Sequence, residues 1–201
     1  MLKRLVWLTT TLVLFVVFIV PAILALTLKM IPASDQPGYN YDRRLSIYGK
    51  RGITQEFVGQ ENNLTAVATS IRNPNLKNQK EVVFNLYDEN FNLLRIAVLN
   101  GFNIEDGDFV KFIFAPIADS SGKKYKFILA SPEAGPGETL EVFILNEPTP
   151  EILEYSYEDK TYPGGVPLVS FYKPASRWQT VRLVYANLLA RLLHPDSQKA
   201  N

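Results

Sequence analysis

From Leu5 to Leu28 the chain reads LVWLTTTLVLFVVFIVPAILALTL without one charged residue, and beyond it apolar positions recur in short alternating runs. A helix rises about 1.5 Å per residue and needs roughly 20 residues to cross about 30 Å of hydrocarbon, so residues 5–28 predict a transmembrane helix. A cleavable signal has an apolar core of only about 7–15 residues and a small-residue cleavage site. The segment following the span, Leu28-Lys29-Met30-Ile31-Pro32-Ala33-Ser34, has no such site and no lipid-bearing cysteine. Pro21 predicts a kink inside the span, and Trp7 suits a headgroup region. Lys3 and Arg4 precede the span while Lys29, Arg43 and Arg44 follow it. The short leader, residues 1–4, favours a cytoplasmic N-terminus, which makes this a single-pass protein of the cell membrane with its main domain extracytoplasmic.

After the span the pattern changes. Residues 29–44, which include the Pro- and Gly-rich PASDQPGYNY, read as a juxtamembrane linker, with the domain starting near Leu45. Alternating runs rich in β-branched and aromatic residues predict strands at 45–48, 53–58, 64–72, 81–87, 93–99, 109–115, 124–130, 139–145 and 153–157, with a further one at 166–172. Asn73-Pro74-Asn75, Asp88-Glu89-Asn90, Asp106-Gly107-Asp108, Ser120-Ser121-Gly122 and Gly135-Pro136-Gly137 are read as the turns between them. Strands at this spacing, with no helical pattern between them, point to a mainly β domain over residues 45–175. The expected architecture is an antiparallel β-sandwich of jelly-roll or carbohydrate-binding-module-like type. The period of two places Phe84, Leu86, Phe112, Phe114, Tyr125, Phe127, Leu129, Val142 and Ile144 in its core.

Residues 176–194 switch to a helical period. Ser176 is a natural N-cap, and Trp178, Val181, Val184, Tyr185, Leu188, Leu189, Leu192 and Leu193 share one broad face, opposite Gln179, Asn187 and Arg191, with Arg182 intruding on its apolar edge. This C-terminal amphipathic helix has three readings: a cover for the sandwich, an interfacial helix returning to the lipid bilayer, or a docking helix for a partner protein. Trp178, Val181, Tyr185, Leu188 and Leu192 are the candidate partner- or membrane-binding residues. The tail at 195–201 is expected to be disordered.

Composition narrows the chemistry. The chain has no cysteine and one histidine, His194, which sits where a helix C-terminus favours a cation. No Cys/His metal site, thiol nucleophile or Ser-His-Asp triad can be assembled from that set, and no Walker-type loop is present, so no cofactor is implied. A net charge of +1 with mixed signs argues against nucleic acid as a partner. Carboxylates remain, and a glycan hydrolase needs only two of them across a cleft. Glu105-Asp106-Gly107-Asp108 reads as a turn more readily than as a cation site, and Ser121-Gly122-Lys123-Lys124 as an exposed turn more readily than as a Ser-Lys dyad. Tyr155, Tyr157 and Tyr162 are the candidate ligand-binding residues, because flat rings with hydroxyl tips can stack on a sugar; the alternative is that they fill the sandwich.

Several motifs occur in a telling order: Gln55-Glu56-Phe57, Asn62-Asn63-Leu64, Phe84-Asn85-Leu86-Tyr87-Asp88, the run from Phe114 through Ser120-Ser121-Gly122-Lys123 to Phe127, and Tyr162-Pro163-Gly164-Gly165. Together they resemble an uncharacterised extracytoplasmic β-sandwich domain of bacterial membrane proteins. It is similar to domains appended to multi-spanning, lipid-linked-sugar glycosyltransferases, and the resemblance spans roughly residues 45–175. It implies a module working beside cell-envelope glycan machinery and carries over no catalytic residue. This chain departs from the glycosyltransferase arrangement in having one span, so it cannot house a multi-helix active site. The expectation is therefore a noncatalytic binding or accessory module, not an enzyme, whose partners are the bilayer and a multi-spanning glycosyltransferase or an envelope glycan. The alternatives are a carboxylate-dependent glycan hydrolase or a self-assembling structural subunit of the envelope.

Overall fold

The computed structural model describes residues 2–145 and 149–193; the side chains of residues 2, 24, 106–108, 187 and 190–192 fall outside that description, as do His194 and the predicted tail. The chain divides into two units, Pro32–Lys173 and Met1–Ile31 with Pro174–Asn201.

The larger unit is built of two antiparallel sheets. One has the order β1 (Ile31–Pro32), β12 (Leu168–Tyr172), β4 (Leu64–Arg72), β9 (Leu140–Ile144), β2 (Asn40–Ile47), with β7 (Asp106–Ile117) also paired to β4. The other runs β11 (Lys160–Pro163), β10 (Ile152–Tyr157), β3 (Ile53–Val58), β8 (Lys124–Ala130), β5 (Glu81–Asp88), β6 (Leu93–Asn100). Alternation places one side of most strands in a shared core, β11 being exposed throughout, and there Phe84 of β5 stacks on Phe112 of β7 at 4.8 Å and on Phe127 of β8 at 4.9 Å. All nine core positions anticipated from the period of two are buried.

Strand β4 is buried on both faces from Leu64 to Ile71. Val67 and Ile71 join the core, whereas Ala66 and Ala68 lie on the other side, paired with Phe171 and Ile113 and with Val169 and Lys111. Small side chains on this central strand leave room for large neighbours to close over them. Lys111 Nζ lies 3.9 Å above the Phe171 ring, so one such lid is a cation on an aromatic face.

Three elements differ from the sequence expectation. β2 begins at Asn40, inside the stretch read as linker, because Asn40 pairs with Ile144 across a register shift. Asp106-Gly107-Asp108 is the start of β7 rather than a turn: Asp106 pairs with Arg72 past a bulge in the β4 ladder. β11, absent from the expected strands, pairs with β10 through a two-residue turn at Glu158 and Asp159, both at positive φ.

In the smaller unit, α1 (Leu2–Leu14), a π-helical turn (Phe15–Ile19) and α2 (Val20–Thr27) make one continuous helix. Its Lys3–Thr27 stretch is long and apolar enough to cross a membrane. Pro21 lacks an N–H and crowds the preceding turn, and the helix widens just before it, with Val20 N–H donating to Phe15 O. The hydroxyls of Thr9, Thr10 and Thr11 donate to carbonyls four residues earlier, each at 2.9 Å, so these polar groups are satisfied within the helix. α3 (Arg177–Leu193) is capped by Ser176, whose Oγ accepts from Gln179 N–H at 3.2 Å, while Gln179 Oε1 accepts from Ala175 N–H at 3.0 Å.

Candidate functional site

Of the three candidate tyrosines, the fold brings two together. Tyr155 on β10 is 6% exposed and stacks on Tyr162 of β11 at 5.1 Å, and Tyr162 is 39% exposed. Tyr157 is half-buried and donates its hydroxyl to Ser46 O at 2.7 Å. Burial pushes both the Tyr155 and the Tyr157 hydroxyl above the ordinary tyrosine value, so both stay neutral at physiological pH. Tyr162 thus carries the ring face of this trio that a surface ligand could reach.

The candidate residues of α3 also divide. Val181 and Tyr185 are half-buried where α3 packs on α2, Trp178 is 81% exposed, and Leu188 is exposed. The side chain of Leu192 lies outside the described residues. Tyr185 donates its hydroxyl to Phe18 O within the widened turn of the first helix.

The other chemistry weighed from sequence is held in structural contacts. Ser121 Oγ donates to Gln60 O at 3.0 Å, and Lys124 Nζ lies 3.8 Å from Glu56. Glu56 also meets Lys126 Nζ at 3.1 Å, and Glu158 pairs with Arg51 at 3.0 Å. Asp88 organises the β5–β6 turn: its Oδ1 accepts from Asn90 N–H at 2.9 Å and Asn92 N–H at 2.8 Å, and its Oδ2 accepts from the Asn92 side chain at 2.9 Å. Those bonds hold its carboxyl below the usual aspartate range, the Asn92 side chain contributing most. The side chains of Asp106 and Asp108 are outside the described residues. Among the described residues, no group of three histidine or acidic side chains is placed to hold a metal.

A further surface feature of the sandwich is a row of exposed apolar side chains. Phe91, Leu93, Ile96 and Val98 are each about half exposed. In the β5–β6 register Val98 lies beside Val83, Ile96 beside Asn85 and Leu93 beside Tyr87, all on the outer side of the sheet. Phe91, in the turn, packs on Tyr87 at 5.1 Å with Lys126 Nζ 5.6 Å from its ring. The row therefore follows β6, the last strand of its sheet, paired with β5. Arg95 on the same strand reaches across to β7, its Nε donating to Ala115 O at 2.8 Å. Phe91 adopts φ 64°, a left-handed conformation normally left to Gly or Asn, and the Asp88 bonds bracket it on both sides. The alternation of β6 contains the signal that could have found this row: it is apolar at both phases, and an edge strand can bury only one.

The motifs that carry the sequence resemblance also meet. Gln55 Nε2 donates to Glu154 O at 2.9 Å, and Gln55 Oε1 accepts from Val166 N–H at 3.0 Å, just past Gly164-Gly165. Ser120 Oγ donates to Glu61 O at 2.6 Å and accepts from Leu64 N–H at 3.0 Å. These residues join strands and loops within the sandwich. The chain matches no protein-family model, and no curated protein matches it.

Proposed function

We propose that this chain is a membrane-anchored, extracytoplasmic, noncatalytic accessory module whose sandwich, of jelly-roll or carbohydrate-binding-module-like type, recruits a neighbouring membrane protein of cell-envelope glycan assembly. The observation that carries this reading is the exposed apolar row Phe91-Leu93-Ile96-Val98 on the outer face of β6, the last strand of its sheet. A contiguous exposed apolar row is uncommon on a monomeric domain and suits a partner's apolar surface. The anchor supplies the rest: a tethered module meets a membrane partner at high effective concentration, so a modest contact is enough. The sequence resemblance to domains appended to lipid-linked-sugar glycosyltransferases supplies the class of partner.

The test is purification of the full-length protein from its native membrane in mild detergent, beside an Ile96→Lys/Val98→Lys variant. A multi-spanning glycosyltransferase retained in near-equal amount by the parent and lost by the variant is the expected result. Equal retention by both, or recovery of the parent alone, overturns the reading. Direct glycan contact is a second reading, favoured by the partly exposed ring of Tyr162 stacked on Tyr155; Tyr162→Ala would then abolish retention on an envelope-glycan matrix.

A further inference from the structure

The anchor helix and α3 meet at a specific point. Pro21 interrupts the helical ladder, the turn Phe15–Ile19 widens to π geometry, and the Tyr185 hydroxyl donates to Phe18 O within that turn. Phe18 lies well inside the Lys3–Thr27 stretch, at a depth where hydrocarbon offers a backbone carbonyl no water. Elsewhere on the two helices Thr180, on α3, and Ala25, on α2, are buried, and Val181 and Val184 are half-buried. Other apolar side chains of α3 stay exposed: Leu183, Leu188, Leu189 and Leu193, and Trp178 near the start of the helix, beside the exposed Gln179 and Arg182.

We infer that α3 is a second membrane-embedded segment, docked on the anchor through Tyr185, with its exposed leucines facing acyl chains. The inference rests on the anchor reading of Lys3–Thr27. What surrounds these exposed leucines follows from continuity. A helix packed on α2, with its mid-point hydroxyl at Phe18, carries its outer face into the solvent that surrounds the anchor, and for a spanning anchor that solvent is lipid. Arg177, Trp178 and Arg182 stand on the N-terminal half of α3, where arginines snorkel and an indole takes a headgroup position. Within the sandwich, Ala33 N–H donates to Ser170 O at 2.9 Å, so the two ends of that unit lie side by side and both chain connections leave from one place.

The chain has no cysteine, so single cysteines can be spin-labelled in the full-length protein. The setting is vesicles of phosphatidylethanolamine and phosphatidylglycerol, and the readout is collision with oxygen, which favours hydrocarbon, against a water-soluble nickel chelate. A label at Leu189→Cys is expected to collide several-fold more with oxygen than with nickel, as Val16→Cys in the anchor does, while Glu89→Cys on the sandwich shows the reverse. A nickel preference at Leu189→Cys places α3 in water and overturns the inference. Weak collision with both places it against protein and overturns it equally. If Val16→Cys itself prefers nickel, the anchor reading fails and takes the inference with it.

Discussion

A β-carbon added to Gly165 would stand 1.7 Å from Oε1 of Gln55. The glycine is therefore what allows a wholly buried amide to sit between β3, β10 and the loop leading to β12. There Gln55 Nε2 donates to Glu56 O at 2.7 Å and Glu154 O at 2.9 Å, and its Oε1 accepts from Val166 N–H at 3.0 Å. Side chain and missing side chain form one device.

Gly165→Ala should accordingly destabilise the sandwich by about 3 kcal/mol or more, because the added methyl group both overpacks the site and displaces buried hydrogen bonds. Gln55→Ala should cost roughly 2–3 kcal/mol by leaving backbone groups unpaired. The double variant should lose less than the sum, since each change removes the other's clash or partner. Urea unfolding of the full-length protein in mild detergent, followed by strand-region circular dichroism, measures all three. A parental midpoint for Gly165→Ala would show that the amide is not needed there.

Asn78 makes a second buried junction. Its Nδ2 donates to Ser131 Oγ at 3.1 Å and Glu138 O at 2.8 Å, and its Oδ1 accepts from Lys80 N–H at 2.9 Å. Asn78→Asp keeps the shape but turns a donor into an acceptor facing two oxygens. The expected loss is about 2–4 kcal/mol at neutral pH. Part should return on mild acidification, since burial raises the new carboxyl's pKa and its protonated form can donate to one of the two oxygens. Unfolding midpoints at two pH values test both statements, and a pH-independent loss would contradict the second.

The strands that alternate cleanly were legible in the sequence: 53–58, 64–72 and 124–130 have the bounds expected from their pattern. The departures share a cause, which is that local signals yield to pairing. Asp106-Gly107-Asp108 has turn chemistry, yet β4 recruits it through a bulge. Glu158-Asp159 lacks the Asn-Gly or Asp-Gly signature of a two-residue hairpin, so β11 was invisible, although both residues adopt the positive φ such a turn demands. The candidate site was less legible than the fold. Tyr155 and Tyr157 stand out as aromatics, but whether an aromatic is buried depends on which strand lies opposite. The β6 row, conversely, depends on a fact of topology, that β6 is the last strand of its sheet.

Asp88 gives the pH dependence of the β5–β6 turn a definite sign. Hydrogen bonds, chiefly from the Asn92 side chain, lower its pKa in the folded state. Its contribution is therefore fully present above the unfolded-state aspartate pKa and is lost as pH falls through the lower folded value. In acid below about pH 4 the amide signals of Asn90 and Asn92 should shift together as these bonds are lost, and the Phe91 ring should loosen from Tyr87. In Asp88→Asn the transition should be absent, because no proton is taken up. A shared transition in both proteins would assign it to another group.

Tyr185→Phe isolates the hydroxyl that α3 presents to the first helix, because the ring and its packing remain while the donor to Phe18 O is removed. Hydrogen bonds between membrane helices are worth about 0.6 kcal/mol on average and at most about 1.7, since polar groups in lipid find other partners when separated. Even the lower figure corresponds to roughly a threefold change in the ratio of docked to released α3. Electron–electron dipolar distances between labels at Val13→Cys and Leu189→Cys should thus gain a longer, broader population in the phenylalanine variant. An unchanged distribution would mean that the widened turn before Pro21 satisfies its own carbonyl, and that the helices are held by apolar packing alone.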